Sequence, residues 1–254
     1  MSSVKQSAGW ELRTQQVLLP KSGFEASECE DFIGINEQTG RFAVADGATE
    51  AFDARNWAQR LAENWVRSES ALTSETFHDW VAGEGAALHS AWSQLTLPWY
   101  AEEKARKGSF AAFVGVELDL HSDAPAWKAI ALGDACLFHC RAGALLKSLP
   151  VSSSAAFNSA PLLVASDPVI HKTSADSLVV DSGRCQPNDI LFLLSDAAAA
   201  WYLERFERND FSDILRDNDE PDAAKFFENE RVAGRIRNDD IAVIRLEIQQ
   251  RSTS

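Results

Sequence analysis

Apolar positions along the 254-residue chain follow two rhythms. Short runs that alternate or stay apolar throughout read as strands at about 32–36 (FIGIN), 41–45 (RFAVA), 110–118 (FAAFVGVEL) and 127–133 (WKAIALG). Further strands are expected at 136–140, 144–147, 190–195 (ILFLLS) and 241–247 (IAVIRLE). Several are apolar on both faces, so their sheets need cover on both sides. Helical spacing appears at 53–69, where Trp57, Leu61, Asn64 and Trp65 share a stripe and Asp53 stands in the N-cap position. A second helix is predicted over 74–95, interrupted by Gly83 and Gly85, a third over 196–207, and a fourth over 221–234 with Pro221 at its start. Strands come in antiparallel-looking groups and helices in blocks, which predicts α+β layers rather than a doubly wound sheet. The Ser- and Pro-containing stretch 151–168 reads as a loop. Strands resume after it without a change in composition, so residues 1–254 are expected to form a single domain.

Charge narrows the partners. The net charge of −14 argues against non-specific binding to nucleic acid or anionic membrane, because phosphate contacts need Lys and Arg. It leaves room for a local phosphate site in which bound metal ions supply the positive charge. No apolar run approaches the roughly 20 residues of a membrane span, and MSSVKQSAGWELRTQQ lacks the apolar core of a secretory signal. A cytoplasmic location is expected. Cys29, Cys136, Cys140 and Cys185 are scattered in no disulfide-scaffold spacing. In LGDACLFHCRAG, a zinc reading of Cys136, His139 and Cys140 fails on geometry, since on a strand His139 faces away from both cysteines. Core packing is the expected role of these thiols.

The carboxylates carry the chemistry. FAVADGATEAF drives an apolar strand into Asp46 and Gly47; taken alone, the pair reads as a turn. ILFLLSDAAAA repeats the grammar at Asp196, and RNDDIAVIRLEI reverses it, with Asp239 and Asp240 opening a strand. ECEDFIG adds Glu30 and Asp31 before another strand, and ALGDA adds Asp134 between two. If the last strand runs antiparallel to the others, these acids gather at one sheet edge. Gathered carboxylates repel unless cations neutralise them, and hard oxygen donors suit Mg²⁺ or Mn²⁺. Each acid also has a plain structural alternative: a hairpin turn at Asp134, a self-capped turn at Asp240, and solvation at Glu30.

The ordered set ED, VADG, GD, SD and DD before an apolar strand resembles the metal-dependent PP2C-type (PPM) serine/threonine phosphatases over residues 30–245. The closer likeness is to a bacterial branch in which the second motif continues into a Trp-bearing helix (here NWAQRL). In that branch the usual SDG gives way to an Asp-Ala helix (here SDAAAAWYLER). The resemblance implies a four-layer αββα sandwich, with two mostly antiparallel sheets flanked by helices. It also implies two Mn²⁺ or Mg²⁺ ions, with a third, weaker one. Asp46 resembles the carboxylate bridging both metals, and Gly47 lends its backbone carbonyl. Asp196 and Asp239 resemble further ligands of one metal, and Glu30 resembles the residue serving the other, partly through water. Asp31 resembles the second acid of the motif, beside the ligands, and Asp134 the aspartate that helps hold the third ion. Asp46, Asp196 and Asp239 are thus the expected catalytic set.

The implied activity is hydrolysis of phosphoserine and phosphothreonine proteins by a water or hydroxide between the metals, in partnership with a cognate Ser/Thr kinase or its substrates. Four positions depart from the family pattern. Ala26 stands where many members carry a phosphate-gripping arginine, so Lys21 or an arginine elsewhere would have to compensate. Ala197 replaces the SDG glycine, Ala48-Thr49-Glu50 replaces Met/His-Gly-Gly, and GDAC replaces GDSR. These departures keep two other functions open: a catalytically weak PP2C-fold regulatory module that binds a phosphoprotein or kinase, and a phosphohydrolase of small molecules.

Overall fold

The computed structural model describes residues 9–68, 73–122, 124–157, 160–173, 175–216 and 218–251. Two antiparallel sheets stack face to face between helices. The first joins β1 (Trp10–Leu19), β11 (Ile241–Gln250), β10 (Ile190–Leu194), β6 (Cys136–Arg141) and β7 (Ala144–Leu149), in that order. The second joins β2 (Asp31–Asn36), β3 (Arg41–Gly47), β4 (Phe110–Asp119), β5 (Ala126–Leu132) and β9 (Val179–Arg184), with the short β8 (Val164–Ala165) paired to β4. The expected αββα layering is the one observed.

Strand periodicity sorts the side chains into three cores. Phe42 and Val44 of β3, Val114 of β4, Leu191 and Leu193 of β10, and Ile244 of β11 fill the space between the sheets. The intervening Ala43 and Ala45 face outward against Trp57, Leu61 and Trp65 of α1 (Ala54–Arg67), beside α2 (Ser74–Trp92). On the other flank, Phe192 and Leu194 pack under Trp201 and Tyr202 of α5 (Asp196–Glu207) and Phe227 of α6 (Glu220–Val232). The doubly apolar strands are therefore those covered on both faces. Each fully buried large side chain contributes roughly 1.5–3 kcal/mol of hydrophobic stabilisation.

Several expectations needed correction. α2 runs unbroken through Gly83 and Gly85. Gly85 marks a close approach instead, since a Cβ there would lie 2.1 Å from the carbonyl oxygen of Ser166. Asp53 does precede α1, but its side chain caps no helix amide. It sits in the left-handed region (φ 57°) and accepts hydrogen bonds from Trp92 Nε1 (2.7 Å) and Asn56 Nδ2 (2.6 Å). Asp134 makes no hairpin turn, because β5 and β6 belong to different sheets and residues 133–135 carry the chain across. The stretch expected as a loop over 151–168 holds β8 and a 3-10 turn at Ser154–Ala156. The pattern also missed β1, β9, α3 (Trp99–Arg106) and α4 (Pro168–Thr173).

Candidate metal centre

The acids named from sequence converge where β3 and β10 end and where β2 and β11 begin. Asp46 shares the inward face of Phe42 and Val44, so period-2 alternation points its carboxylate into the end of the sandwich. Asp31 lies directly across the β2–β3 ladder from Asp46. Asp134 arrives on the crossover between the sheets, and Asp196 opens α5 immediately after β10. Asp46, Asp134 and Asp196 each offer a carboxylate oxygen within 4.8 Å of the others. Gly47 lets the start of α1 approach, since a Cβ there would lie 2.9 Å from the carbonyl oxygen of Ala54 and 3.0 Å from that of Glu30.

Glu30 and Asp239 stand at the rim, linked by a side chain that periodicity could not assign. Lys21 Nζ lies 3.3 Å from Asp239 Oδ1, 3.7 Å from Glu30 Oε2 and 3.1 Å from Thr49 Oγ1. Thr49 in turn donates to Glu30 Oε2 at 2.6 Å, a contact made by one of the residues that departs from the family pattern. Arg237 pairs with Asp196 and places Nε 3.3 Å from Asp239 Oδ2. Asp240 does not cap its own turn. It shares the inward face of Ala242 and Ile244 and accepts the backbone amides of Lys21 (2.7 Å) and Glu30 (2.8 Å), so its oxygens are answered. Asp239, one residue earlier, accepts only its neighbour's amide from the backbone (Asp240 N, 3.0 Å) and otherwise pairs with the side chains of Lys21 and Arg237.

Electrostatics separate this cluster from ordinary buried acids. Burial, followed by the Asp134 and Asp239 carboxylates, pushes Asp46 up to about 7, against the pull of Arg237. Burial and the facing Asp46 push Asp31 well above the usual carboxylate range, despite a hydrogen bond from Ser195. One Asp31 oxygen, Oδ2, is buried with no hydrogen-bond partner. Burial also raises Asp134, with Arg237 acting in the opposite direction. Glu30, Asp31, Asp46, Asp134, Asp196, Asp239 and Asp240 thus outnumber the two described cations that pair with their carboxylate oxygens, Lys21 and Arg237. An oxygen-only donor set with excess negative charge and an orphaned carboxylate oxygen fits hard divalent cations.

A second cluster, His139, Cys185 and Asp189, also brings its ligand atoms within 4.8 Å of one another. Its His139 and Asp189 atoms are already committed. Arg141 holds Asp189 through Nε (2.7 Å) and Nη2 (2.8 Å), and the Gln186 amide donates at 2.8 Å. Trp127 Nε1 donates to His139 Nδ1 at 3.3 Å, which leaves His139 Nε2 as the donor to Asp189 Oδ2 at 2.8 Å. Cys136 and Cys140 face the opposite side of β6, in the core under α5, and all four cysteines are free and buried.

No protein-family model and no curated protein sequence matches the chain. Solved structures do. The chain superposes on the catalytic domain of the serine/threonine protein phosphatase PstP in complex with two manganese ions, with a TM-score of 0.61 at 13% identity. The match covers 95% of this chain and 100% of that one. The fold is that of the PP2C-type phosphatases. The Mycobacterium tuberculosis serine/threonine phosphatase PstP/Ppp superposes with a TM-score of 0.62 at 12% identity, over 94% of this chain and 99% of that one. The photosystem II phosphatase PBCP gives 0.56 at 16% identity, over 93% and 98%. With identities this low, the PP2C likeness is one of architecture, and chemistry has to be argued from the residues. Among the described residues, no helix is long and apolar enough to cross a membrane.

Proposed function

We propose that the chain is a single-domain, Mn²⁺- or Mg²⁺-dependent protein phosphatase that hydrolyses phosphoserine and phosphothreonine monoesters. The observation that carries this reading is the convergence of Asp46, Asp134 and Asp196 within 4.8 Å at the end of the sandwich, beside an unpartnered Asp31 oxygen. Divalent cations held by these carboxylates would ease deprotonation of an attacking water near neutral pH and offset charge on the phosphoryl oxygens.

The chain's own residues do the rest. β2 and β4 flank β3 and hold Asp46, in register with Asp31 and Ala112, as the central ligand. Asp196 and Asp239 approach from the other sheet, and Glu30, oriented by Thr49, joins Asp239 at the rim. Asp240 fixes the backbone on which Glu30 is carried. A cysteinyl-phosphate route is disfavoured, since burial pushes the Cys29 and Cys185 thiols up to about 12 and Cys136 and Cys140 higher still. The substrates we assign are phosphoproteins, expected to be the targets of a partner Ser/Thr kinase. Nothing in the arrangement favours a binding module without turnover.

The test is hydrolysis of a phosphothreonine peptide and of p-nitrophenyl phosphate across a Mn²⁺ titration, with nucleotides in parallel. Peptide turnover that requires Mn²⁺ and falls at least about a hundredfold in Asp46→Asn is expected. Turnover indifferent to Mn²⁺ or to that substitution would overturn the reading, and a preference for nucleotides would move the substrate to small molecules.

A further inference from the structure

The two cations at the acid cluster grip oxygens that a divalent ion would need. Arg237 is committed to Asp196 and Asp239, and Lys21 to Asp239 and Glu30. Neither is a buried structural pair. The Arg237 side chain is 47% exposed, and it reaches in from the segment between α6 and β11.

The backbones carrying them are pinned by bonds in which neither cationic head group takes part. Asp240 accepts the Lys21 amide at 2.7 Å. Arg231, from α6, donates to the carbonyls of Pro20 (2.8 Å) and Asp239, tying together the two segments that bear the cations. Two long side chains thus reach the mouth of the acid cluster from segments whose backbones are hydrogen-bonded in place.

We propose that Arg237 and Lys21 are built-in counter-cations of the metal centre. They hold Asp196, Asp239 and Glu30 together in the metal-free protein, compete with the divalent ion for those oxygens, and so set the concentration of metal at which the centre fills. This rests on the metal-dependent reading above. The physical basis is a swap: the guanidinium and the ammonium occupy carboxylate oxygens that a divalent ion would take. Filling the site breaks each of these pairs. Every pair that must break lowers the apparent affinity for metal, and the nearby positive charges repel the incoming ion. Once displaced, both side chains remain at the rim.

The sign of the effect separates this role from simple positioning. A residue that preorganises ligands weakens metal binding when removed, whereas a competitor strengthens it. The experiment is calorimetric Mn²⁺ titration of the full chain, stripped by chelation, with metal-free and Mn²⁺-saturated melting curves. Arg237→Met is expected to tighten Mn²⁺ binding about tenfold, the loss of one charge-assisted contact. It is also expected to lower the metal-free melting midpoint while leaving the saturated midpoint near wild type. Lys21→Met is expected to shift both in the same directions by less. Arg237→Gln, which keeps a hydrogen-bond donor without the charge, guards against misfolding of the first variant and should also tighten binding. Unchanged or weaker Mn²⁺ affinity in both Arg237 variants overturns the proposal alone. A wild-type chain that takes up no Mn²⁺ overturns the metal reading and this proposal with it.

Discussion

β10 ends on a buried acid site in both directions. Before it stands Asp189; after it, beyond a strand roughly 16 Å long, stands Asp196 at the mouth of the candidate metal centre. Asp189 is fully shielded from solvent (0% exposed) and fully answered, by Arg141, the Gln186 amide and His139. Burial works to raise its pKa, but the hydrogen bonds outweigh burial and hold it below the usual value. At the far end Asp31 and Asp46 are raised, and Asp31 keeps an oxygen with no partner. The same strand thus carries one carboxylate that completes the fold and delivers another to a site the fold leaves incomplete. Burial alone does not distinguish structure from function; whether the charge is answered does.

The sharpest way to break that contrast is substitution by asparagine at each end. Asp46→Asn removes a repelling charge, so the metal-free chain should be at least as stable as wild type in urea, while metal-dependent hydrolysis falls at least about a hundredfold. Asp189→Asn should do the reverse, costing about 2 kcal/mol of stability by weakening charge-assisted bonds to Arg141 while leaving Mn²⁺ affinity unchanged. If both variants lost stability equally, the two ends would not differ as argued.

A pH series adds a third test, away from either acid site. Burial, with His78 beside it, pulls His171 down to about 4, and His78 Nδ1 lies 2.8 Å from His171 Nε2. The native state therefore holds His171 neutral while the unfolded chain protonates it below about 6.5. Stability from this group is complete above about 6.5 and is lost as pH falls from 6.5 toward 4, by on the order of 3 kcal/mol at most. Chemical denaturation at stepped pH should show this loss, and His171→Gln should flatten it. The smallest effect is expected at Thr49→Val, which removes the hydroxyl on Glu30 and should weaken Mn²⁺ binding about tenfold with little change in metal-free stability.

How much of this was legible beforehand follows from physics that acts locally. Strands with continuous or alternating apolar runs, and acids standing at their ends, were readable, because period-2 alternation fixes which way Phe42, Val44 and Asp46 face. β1 was not readable. WELRTQQVLL buries only Trp10 and Val17, and it exists as a strand through pairing along its whole length with β11. β9 was missed for a similar reason, as a half-exposed edge beside β5.

At the site, spacing named the carboxylates but could not say which were answered. Asp239 and Asp240 look equivalent in sequence, yet Asp240 is taken up by two backbone amides, which only the fold brings near. Arg237, two residues from Asp239, was visible in the sequence, but nothing local tied it to Asp196. Thr49 looked like a departure from the family pattern and proves to be a partner of Glu30.

The central claim is that the acids at the end of the sandwich are incomplete without divalent cations. The most direct measurement is the melting midpoint of the chelator-stripped chain as Mn²⁺ is added, for wild type and Asp46→Asn together. A rise is expected for wild type, equivalent to about 2.7 kcal/mol at a hundredfold excess over the dissociation constant. A much smaller rise is expected for Asp46→Asn, from a metal-free midpoint no lower than that of wild type. A wild-type midpoint indifferent to Mn²⁺, with Asp46→Asn destabilised as Asp189→Asn is, would contradict the claim.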